Sequence, residues 1–270
     1  MARQEIDLTT PQPNGKMGEP TKTAWQKVND MTAEIYSSPA MSGSLQGRNM
    51  LINCGIPINQ RGFVGGALAV NVYGYDRWKG GSGGCNVTIN SSNGEFNHVS
   101  GALQQIVESP FDAWGKPLTF SVENLSAPIT VSIGGSSGVI QPGQGRRSIT
   151  VTPSGSGNMS VLIGASGATY YRPQLERGSV ASPFEYRNDA IEWILCQRYF
   201  EAVGFIAVAN GPDFTSVFYK VRKRTTPSVY LISGSITPAT LNPRGNSGYF
   251  SMDGRASSAA AVIAAVDAEI

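Results

Sequence analysis

Short runs in which apolar and polar residues alternate recur between residues 48 and 187. In the segment LTFSVE (118–123), the apolar residues Leu118, Phe120 and Val122 alternate with polar ones, which is the two-residue period of a strand with one buried face. Comparable segments follow at short intervals with no helical period between them: 49–53, 67–75, 86–90, 104–108, 118–124, 129–133, 147–152, 159–163 and 169–174. This succession predicts an antiparallel β-sandwich of the jelly-roll type over 48–187.

Stretches rich in glycine, serine and proline separate the predicted strands. They are GGSGG (80–84), SSNG (91–94), GGSSG (134–138), PGQG (142–145) and PSGSGN (153–158). Glycine supplies the positive φ and proline the fixed φ that tight turns need, so we assign all five to turns.

The segment before the sandwich has a helical period. Trp25, Val28, Thr32 and Ile35 are spaced by three, four and three residues, which places them on one stripe of a helix over 21–36. A helix of this length is not stable alone in water, so the stripe must pack either on its own domain or in a parallel bundle with other copies. A polar, glycine-rich linker at 37–47 favours the bundle and separates an N-terminal segment, 1–47, from the sandwich.

The chain after the sandwich forms a second β-unit, 188–270. A short helical connector at 188–195 carries Trp193, and strand patterns follow at 198–208, 216–221, 228–232, 235–241 and 248–252. The last segment, 259–269, is rich in alanine, which favours a helix, but it has no cap and contains three β-branched residues. Both interpretations of that segment remain open from its residues alone. The whole chain is predicted to be all-β with one short N-terminal helix.

Composition supports this fold class and narrows the function. Among 270 residues there are 32 glycines and 16 prolines, and only 15% are charged, against about 25% in typical soluble domains. The net charge of +2 gives no electrostatic footprint for nucleic acid. Three cysteines are an odd number, so we expect reduced, mostly buried thiols, although a Cys54–Cys85 bridge remains possible. The polar N-terminus lacks the apolar core of a signal peptide, which predicts folding in a cytosol.

No catalytic or metal-binding motif is present. His98 is the single histidine, and its NHVSG context predicts a polar turn rather than a catalytic triad or a zinc site. Glycan hydrolysis needs two converging carboxylates, and the acids of the sandwich region before its closing strand are scattered: Asp76, Glu95, Glu108, Asp112 and Glu123. We therefore predict a protein that is not an enzyme, with no catalytic residues, no cofactor and no metal.

Sugar binding needs an aromatic plate beside polar groups, and two places offer this. The segment YGYDRW (73–78) places aromatic residues next to an acid and an arginine, and Trp114 lies near Asp112. We take as candidate glycan-binding residues Tyr75, Asp76, Trp78 and Trp114. Core or interface packing is the alternative for these aromatic side chains.

Residues of the last unit could also meet a receptor. Phe214, Arg244 and Tyr249 are predicted in loops of a distal tip, where binding residues are common. The cluster KVRKR (220–224) could contact lipopolysaccharide phosphates, or it could be an exposed strand edge protected from aggregation by its charge.

Four segments together resemble bacteriophage tail fibres and receptor-binding proteins. They are Gly18-Glu19-Pro20 followed by Lys27-Val28-Asn29, the stretch RPQLERGSVASPFEYR (172–187), the stretch LCQRYF (195–200), and the final Asp267-Ala268-Glu269-Ile270. The stretch 172–187 is similar to the closing strand of a carbohydrate-binding jelly roll, with Leu175 and Phe184 in the core and Gly178 and Pro183 shaping turns. The resemblance also implies a strand for 259–269, which we adopt.

What the resemblance implies is a homotrimeric structural protein of a phage virion. Its N-terminus would attach to the baseplate or to other tail proteins, and the rest would bind a host surface glycan such as lipopolysaccharide during adsorption. A phage-derived contractile particle would use the same protein. The alternatives are an architectural protein that links baseplate and fibre without a receptor and, third, a glycan depolymerase.

Overall fold

The computed structural model describes residues 6–18, 20–37, 47–207, 214–236, 239–245, 248–253 and 260–270. The chain forms two compact units, Met1–Gln46 and Gly47–Ile270. Glu19 of the N-terminal motif and most of the predicted linker lie outside the described residues. Within the described ranges, no helix is long and apolar enough to cross a membrane.

The first unit consists of a turn-rich segment followed by α1, Thr21–Ser37, which confirms the predicted helix. Before it, hydrogen bonds to the Asp7 carboxylate from the Thr10 side chain and from the backbone amides of Thr9 and Thr10 lower its pKa to about 2. Trp25 on α1 is largely exposed. The packing of the predicted stripe, in its own domain or in a bundle, stays a prediction.

The second unit begins with a sandwich of eight antiparallel strands. They are β1 (Gly66–Leu68), β2 (Lys79–Ile89), β3 (Glu95–Val107), β4 (Leu118–Leu125), β5 (Ile129–Ile133), β6 (Ser136–Ile140), β7 (Gly143–Val151) and β8 (Met159–Arg177). One set pairs in the order β1-β2-β3-β8-β5-β6 and the other in the order β8-β4-β7. A single apolar cluster contains side chains from both sets. The predicted all-β sandwich is therefore confirmed.

Strand β8 belongs to both sets because it bends. Its first part pairs with β3 as far as Tyr171, and its last part, from Tyr171 to Arg177, pairs with β4. Arg172, at the bend, has a φ of 51°, a left-handed conformation that is uncommon for a residue with a side chain. The sequence pattern had divided β8 into two strands.

One predicted turn is wrong, and two others are confirmed only in part. The glycines at 80–84 lie within β2, because the backbone of residues 68–69 passes too close for side chains: a Cβ on Gly80 would lie 2.2 Å from the Ala69 carbonyl oxygen. In 134–138, Gly134 and Gly135 form the turn, with positive φ, and the rest belongs to β6, which pairs with β5. In 142–145, β7 already begins at Gly143. Conversely, residues 49–53 are irregular rather than a strand.

His98 was predicted in a polar turn, and this is also wrong. It lies on β3 with no accessible surface, and its Nδ1 is 3.2 Å from the Tyr170 hydroxyl. Burial lowers its pKa to about 4. The NHVSG sequence resembles a turn because it ends in a glycine, Gly101, that has a positive φ. In the structure, however, β3 continues through Gly101, and the β2–β3 register is irregular there.

After the sandwich, helix α2 (Asp189–Gln197) leads to two three-stranded sheets. Asn188 caps α2 by accepting a hydrogen bond from the Ala190 amide at 2.9 Å. The remaining strands are β9 (Phe200–Ala207), β10 (Phe214–Phe218), β11 (Ser228–Ser233), β12 (Thr240–Arg244), β13 (Tyr249–Asp253) and β14 (Ala260–Asp267). The sheets have the orders β11-β14-β9 and β10-β13-β12, and small apolar clusters fill the space between them. The strand predicted for the last segment is confirmed.

The residues after β14 bind back onto the sandwich. Glu269 forms ion pairs with Arg77 and, at 3.2 Å, with Arg61. The backbone oxygen of Ile270 accepts hydrogen bonds from Tyr73 at 2.6 Å and from another side chain of the same region. Gly47–Ile270 is a single compact unit, and the finer division at residue 187 stays a prediction.

Candidate functional site

The aromatic segment offered as a sugar platform lies inside the sandwich. Trp78 has no accessible surface, its Nε1 donates a hydrogen bond to the Asn53 carbonyl at 2.8 Å, and its ring packs edge-on against Phe96. Tyr75 is also buried, with its hydroxyl bonded to the backbone of Ile89. Sugar stacking needs a ring face open to solvent, so both side chains have the packing role that was the alternative.

The charged residues of the same segment are engaged within the protein. Asp76 is buried and accepts hydrogen bonds from the backbone and the side chain of Gln60, at 3.1 and 2.6 Å. Burial raises the pKa of Asp76 to about 6. Arg77 pairs with Glu269, and its guanidinium lies 3.5 Å from the centre of the Tyr199 ring. This segment therefore joins the sandwich to the last β-unit.

Trp114 is half-buried in the connection between β3 and β4. Its ring covers Gly134 and Gly155, so closely that a Cβ on either glycine would come within 3 Å of it. Its Nε1 donates a hydrogen bond to the Gly157 carbonyl at 3.0 Å. These contacts fasten two turns of the sandwich, and the groove described below does not include Trp114.

The three residues predicted for tip loops lie on strands. Phe214 begins β10, Arg244 ends β12 and Tyr249 begins β13, and the last two are register partners. Arg244 forms an ion pair with Asp253 at 2.8 Å. Tyr249 packs against Phe218, with ring centres 5.6 Å apart. No described contact joins Arg244 or Tyr249 to the candidate glycan-binding residues of the sandwich. The side chain of Phe214 lies outside the described part of the chain.

The cationic cluster at 220–224 is partly internal. Lys223 has no accessible surface, and its Nζ lies 2.5 Å from the Glu201 carboxylate and 2.6 Å from the Gln197 carbonyl oxygen. Arg224 donates to the Ala268 carbonyl at 3.0 Å. These contacts remove two of the four cations from any phosphate-binding surface.

A groove of about 700 Å³ opens where the chain leaves β8 and enters α2. Its walls come from residues 53–59, the turn at 92–93, Arg172 at the bend of β8, and parts of 184–193. The groove thus lies along the stretch that the sequence offered only as a closing strand.

Two aromatic rings in the groove are open to solvent. Tyr186 is 70% exposed and Trp193, on α2, is 43% exposed. Tyr186 is held from the side by Phe184, whose ring is perpendicular at 5.0 Å, and by the Arg172 guanidinium, 5.0 Å from its centre. Phe184 itself packs against the main core. The groove therefore offers accessible rings on a fixed support.

Ion pairs behind these rings hold the walls. Arg187 donates to the Glu192 carboxylate at 3.0 Å and also to backbone carbonyls of the incoming chain. Glu185 accepts hydrogen bonds from the amides of Gly47 and Asn49, both at 2.6 Å. Most of the hydrogen-bonding capacity of Arg187 and Glu185 is therefore used by protein partners, so these side chains shape the groove rather than contact a ligand.

A few polar groups remain for a ligand. Within the described ranges, the carboxylate of Asp189 has no protein partner, and it is exposed at the start of α2. The Ser92 hydroxyl and the Asn93 Nδ2 group also line the groove on an exposed turn, while the Asn93 Oδ1 accepts a hydrogen bond from the Glu95 amide at 2.9 Å. Aromatic faces flanked by hydroxyl, amide and carboxylate groups match the two sides of a pyranose ring.

The groove does not present the pair of free carboxylates that glycoside hydrolysis uses. Glu185 and Glu192 are bound to arginine and to backbone amides. Among the described groove residues, Asp189 is then the one carboxylate without a protein partner. Across the described residues there is no group of three potential metal ligands.

The cysteines offer no nucleophile. Cys54, Cys85 and Cys196 are free and buried, which confirms the predicted reduced thiols. Burial raises the pKa of Cys85 to about 11, and raises those of the other two thiols as well, so none is a thiolate near neutral pH.

Sequence reasoning missed Tyr186, Trp193 and Arg172 as site residues. One signal was available: in SPFEYR, an apolar Phe184 and an amphipathic Tyr186 alternate just after a strand, so one ring points inward and the other outward. Residues 53–59 line the same groove although they lie more than a hundred positions earlier, and the sequence pattern gave no sign of this proximity.

Comparisons with known proteins add little. No family model and no curated protein matches the chain. A crystal structure of a Paenibacillus cycloisomaltooligosaccharide glucanotransferase, complexed with cycloisomaltoheptaose, matches with a TM-score of 0.24 and 9% identity, covering 78% of this chain and 46% of that chain. The chain thus spans less than half the length of that protein, and so low a TM-score supports no conclusion about activity.

Proposed function

We propose that this chain is a tail-fibre protein of a phage or phage-derived particle that binds a host surface glycan in the groove, without altering it. The observation that carries the glycan part is the pair of exposed rings, Tyr186 and Trp193, on a wall braced by the Arg187 ion pairs. The virion part rests on the sequence resemblance described above.

The proposed assembly is a homotrimer attached through residues 1–47 to a baseplate or other tail proteins. A shallow sugar site binds weakly, and three sites on one fibre raise the avidity without new contacts. The outward face of the sheet β11-β14-β9 supports an apolar contact between copies, because it exposes Ile206, Tyr230, Ile232 and Ile263. Light scattering of the intact chain tests this, and Ile206→Asp with Ile263→Asp should yield monomers.

The glycan proposal is tested with fluorescently labelled full-length protein on a panel of bacterial cells. We expect Tyr186→Ala to reduce cell binding at least tenfold, since stacking on an aromatic ring supplies much of the affinity of a shallow site. Phe111→Ala is the matched control: this ring is also exposed, but it lies outside the groove. Equal binding by Tyr186→Ala and the control would reject the groove as the receptor site.

The architectural role is the second candidate, and the same apolar sheet face favours it. It predicts that the intact chain binds no cells, although particles lacking the protein fail to assemble. A depolymerase would release reducing ends from purified surface polysaccharide, and the occupied carboxylates of the groove speak against that.

A further inference from the structure

We propose that the groove selects uncharged glycans and excludes acidic ones. This inference rests on the proposed function and names the ligand class of the same site. It concerns which charges in the groove are free to meet a ligand.

The groove carries a small excess of negative charge. Its lining has three carboxylates, Glu185, Asp189 and Glu192, against two guanidinium groups, Arg172 and Arg187. Behind the wall, Arg172 pairs with Glu123, which also pairs with Arg146. These two residues add one charge of each sign, so the excess of negative charge does not change.

Neither arginine is a free cation. Arg187 is only 9% exposed and lies between Glu192 at 3.0 Å and Glu185 at 3.5 Å. Arg172 pairs with Glu123 at 2.8 Å and also lies against the Tyr186 ring. Recognition of a sugar carboxylate or phosphate uses an arginine whose fork is open to the ligand. Arg187 is closed in this respect, whereas Arg172 is 38% exposed but has Nη1 on Glu123 and one face against the Tyr186 ring, so its charge is already paired.

The charge that does face the opening is negative. Asp189 is exposed, and no described residue neutralises it. A carboxylate there accepts hydrogen bonds from sugar hydroxyls and repels uronate, phosphate or sialate groups. With Tyr186 and Trp193 stacking on C–H faces and with Ser92 and Asn93 lining the same groove, the groups fit a neutral hexose or N-acetylhexosamine.

The test separates surface polysaccharides from several bacteria into neutral and acidic fractions by anion exchange. Binding of each fraction to the immobilised full-length protein is then measured at 20 and 500 mM NaCl. We expect Tyr186-dependent binding in neutral fractions, with an affinity that changes less than twofold between the two salt concentrations, because no charge is screened. We expect Asp189→Asn to weaken neutral binding about threefold to tenfold and to increase the binding of acidic fractions, with Phe111→Ala as the folded control.

Two results would overturn the inference. If Tyr186-dependent binding occurs only in acidic fractions, or falls tenfold with salt, the ligand is anionic. The proposed receptor function is then kept, and the inference of a neutral ligand is wrong. If no fraction shows Tyr186-dependent binding, the proposed function fails and the inference fails with it.

Discussion

Two segments of nearly the same composition have opposite places in this protein. Tyr75–Trp78 (YDRW) and Phe184–Arg187 (FEYR) each combine two aromatic rings with one acid and one arginine. In the first, every side chain is buried at the junction between the sandwich and the last β-unit. In the second, the charged side chains brace a wall and Tyr186 faces solvent.

The difference lies in where the partners come from. Arg77 pairs with Glu269, 192 positions away, so its segment is closed over by a distant part of the chain. Arg187 pairs with Glu192, five positions away, which ties its segment to α2 and leaves one side open. An aromatic–acid–arginine motif therefore predicts a polar network, but tertiary contacts decide whether that network faces a ligand.

The largest contrast is expected from deleting one ring in each segment. Trp78→Ala should lower the free energy of unfolding by about 3–5 kcal/mol, because it opens a cavity and leaves the Asn53 carbonyl without its donor. Urea unfolding monitored by far-UV circular dichroism measures this. A loss below about 1 kcal/mol would mean that Trp78 is not in the core.

Removing the arginine of the buried segment should cost somewhat less. Arg77→Met is expected to lower the free energy of unfolding by about 3 kcal/mol, because Glu269 loses one of its two cations in a buried site, while Arg61 remains. Adding Glu269→Gln should recover part of this loss in a double-mutant cycle. If the two substitutions are additive, the junction contact is not formed in solution.

Acid should weaken the sandwich through His98. Its folded pKa of about 4 lies below the usual 6.5, so its contribution is fully present above pH 6.5 and is lost as the pH falls toward 4, up to about 3 kcal/mol. Urea midpoints from pH 7.5 to 4.5 should show a shallower slope in His98→Gln than in the wild type. Parallel slopes would contradict the buried neutral imidazole.

Asp76 should act in the opposite direction. Its folded pKa of about 6 exceeds the usual 3.8, so stability is greatest at low pH and falls as the pH rises through 6, by up to about 2–3 kcal/mol. Asp76→Asn should therefore gain stability relative to the wild type between pH 4 and 7. The difference in unfolding free energy between Asp76→Asn and the wild type at each pH cancels the contribution of His98. If this difference does not change with pH, Asp76 is in contact with water rather than buried.

The smallest effect is expected at the exposed ring. Tyr186→Ala should change the free energy of unfolding by less than about 1 kcal/mol, since its main contacts are Phe184 and the Arg172 guanidinium. The same urea titration measures it beside Trp78→Ala. A loss comparable to that of Trp78→Ala would show that Tyr186 supports the fold rather than a ligand.

Local pattern was sufficient for much of the fold. Helix α1 and strand β5 lie where the periodicity placed them, and β5 shows the predicted alternation of buried and less buried residues. The glycines of β2 misled the prediction, since glycine serves two purposes: positive φ in a turn, and space where a strand meets backbone from another segment. Such contacts depend on residues distant in the sequence.

The candidate site was less accessible to sequence reasoning. Trp78 and Tyr186 are both amphipathic aromatics beside an acid, and only the packing of Asn53, Phe96 and Glu185 distinguishes them. The stretch 172–187 was recognised for its order in the chain, whereas its groove forms only when residues 53–59 come alongside.

The shared strand β8 has a mechanical consequence. Because one continuous backbone crosses from β3 to β4 at Arg172, tension between the two halves of the sandwich is carried by covalent bonds as well as by the hydrogen-bonded ladders. We expect a force that separates the halves to load both ladders of β8 before either is released. The proposed attachment of a particle to a cell would place such a load on this strand.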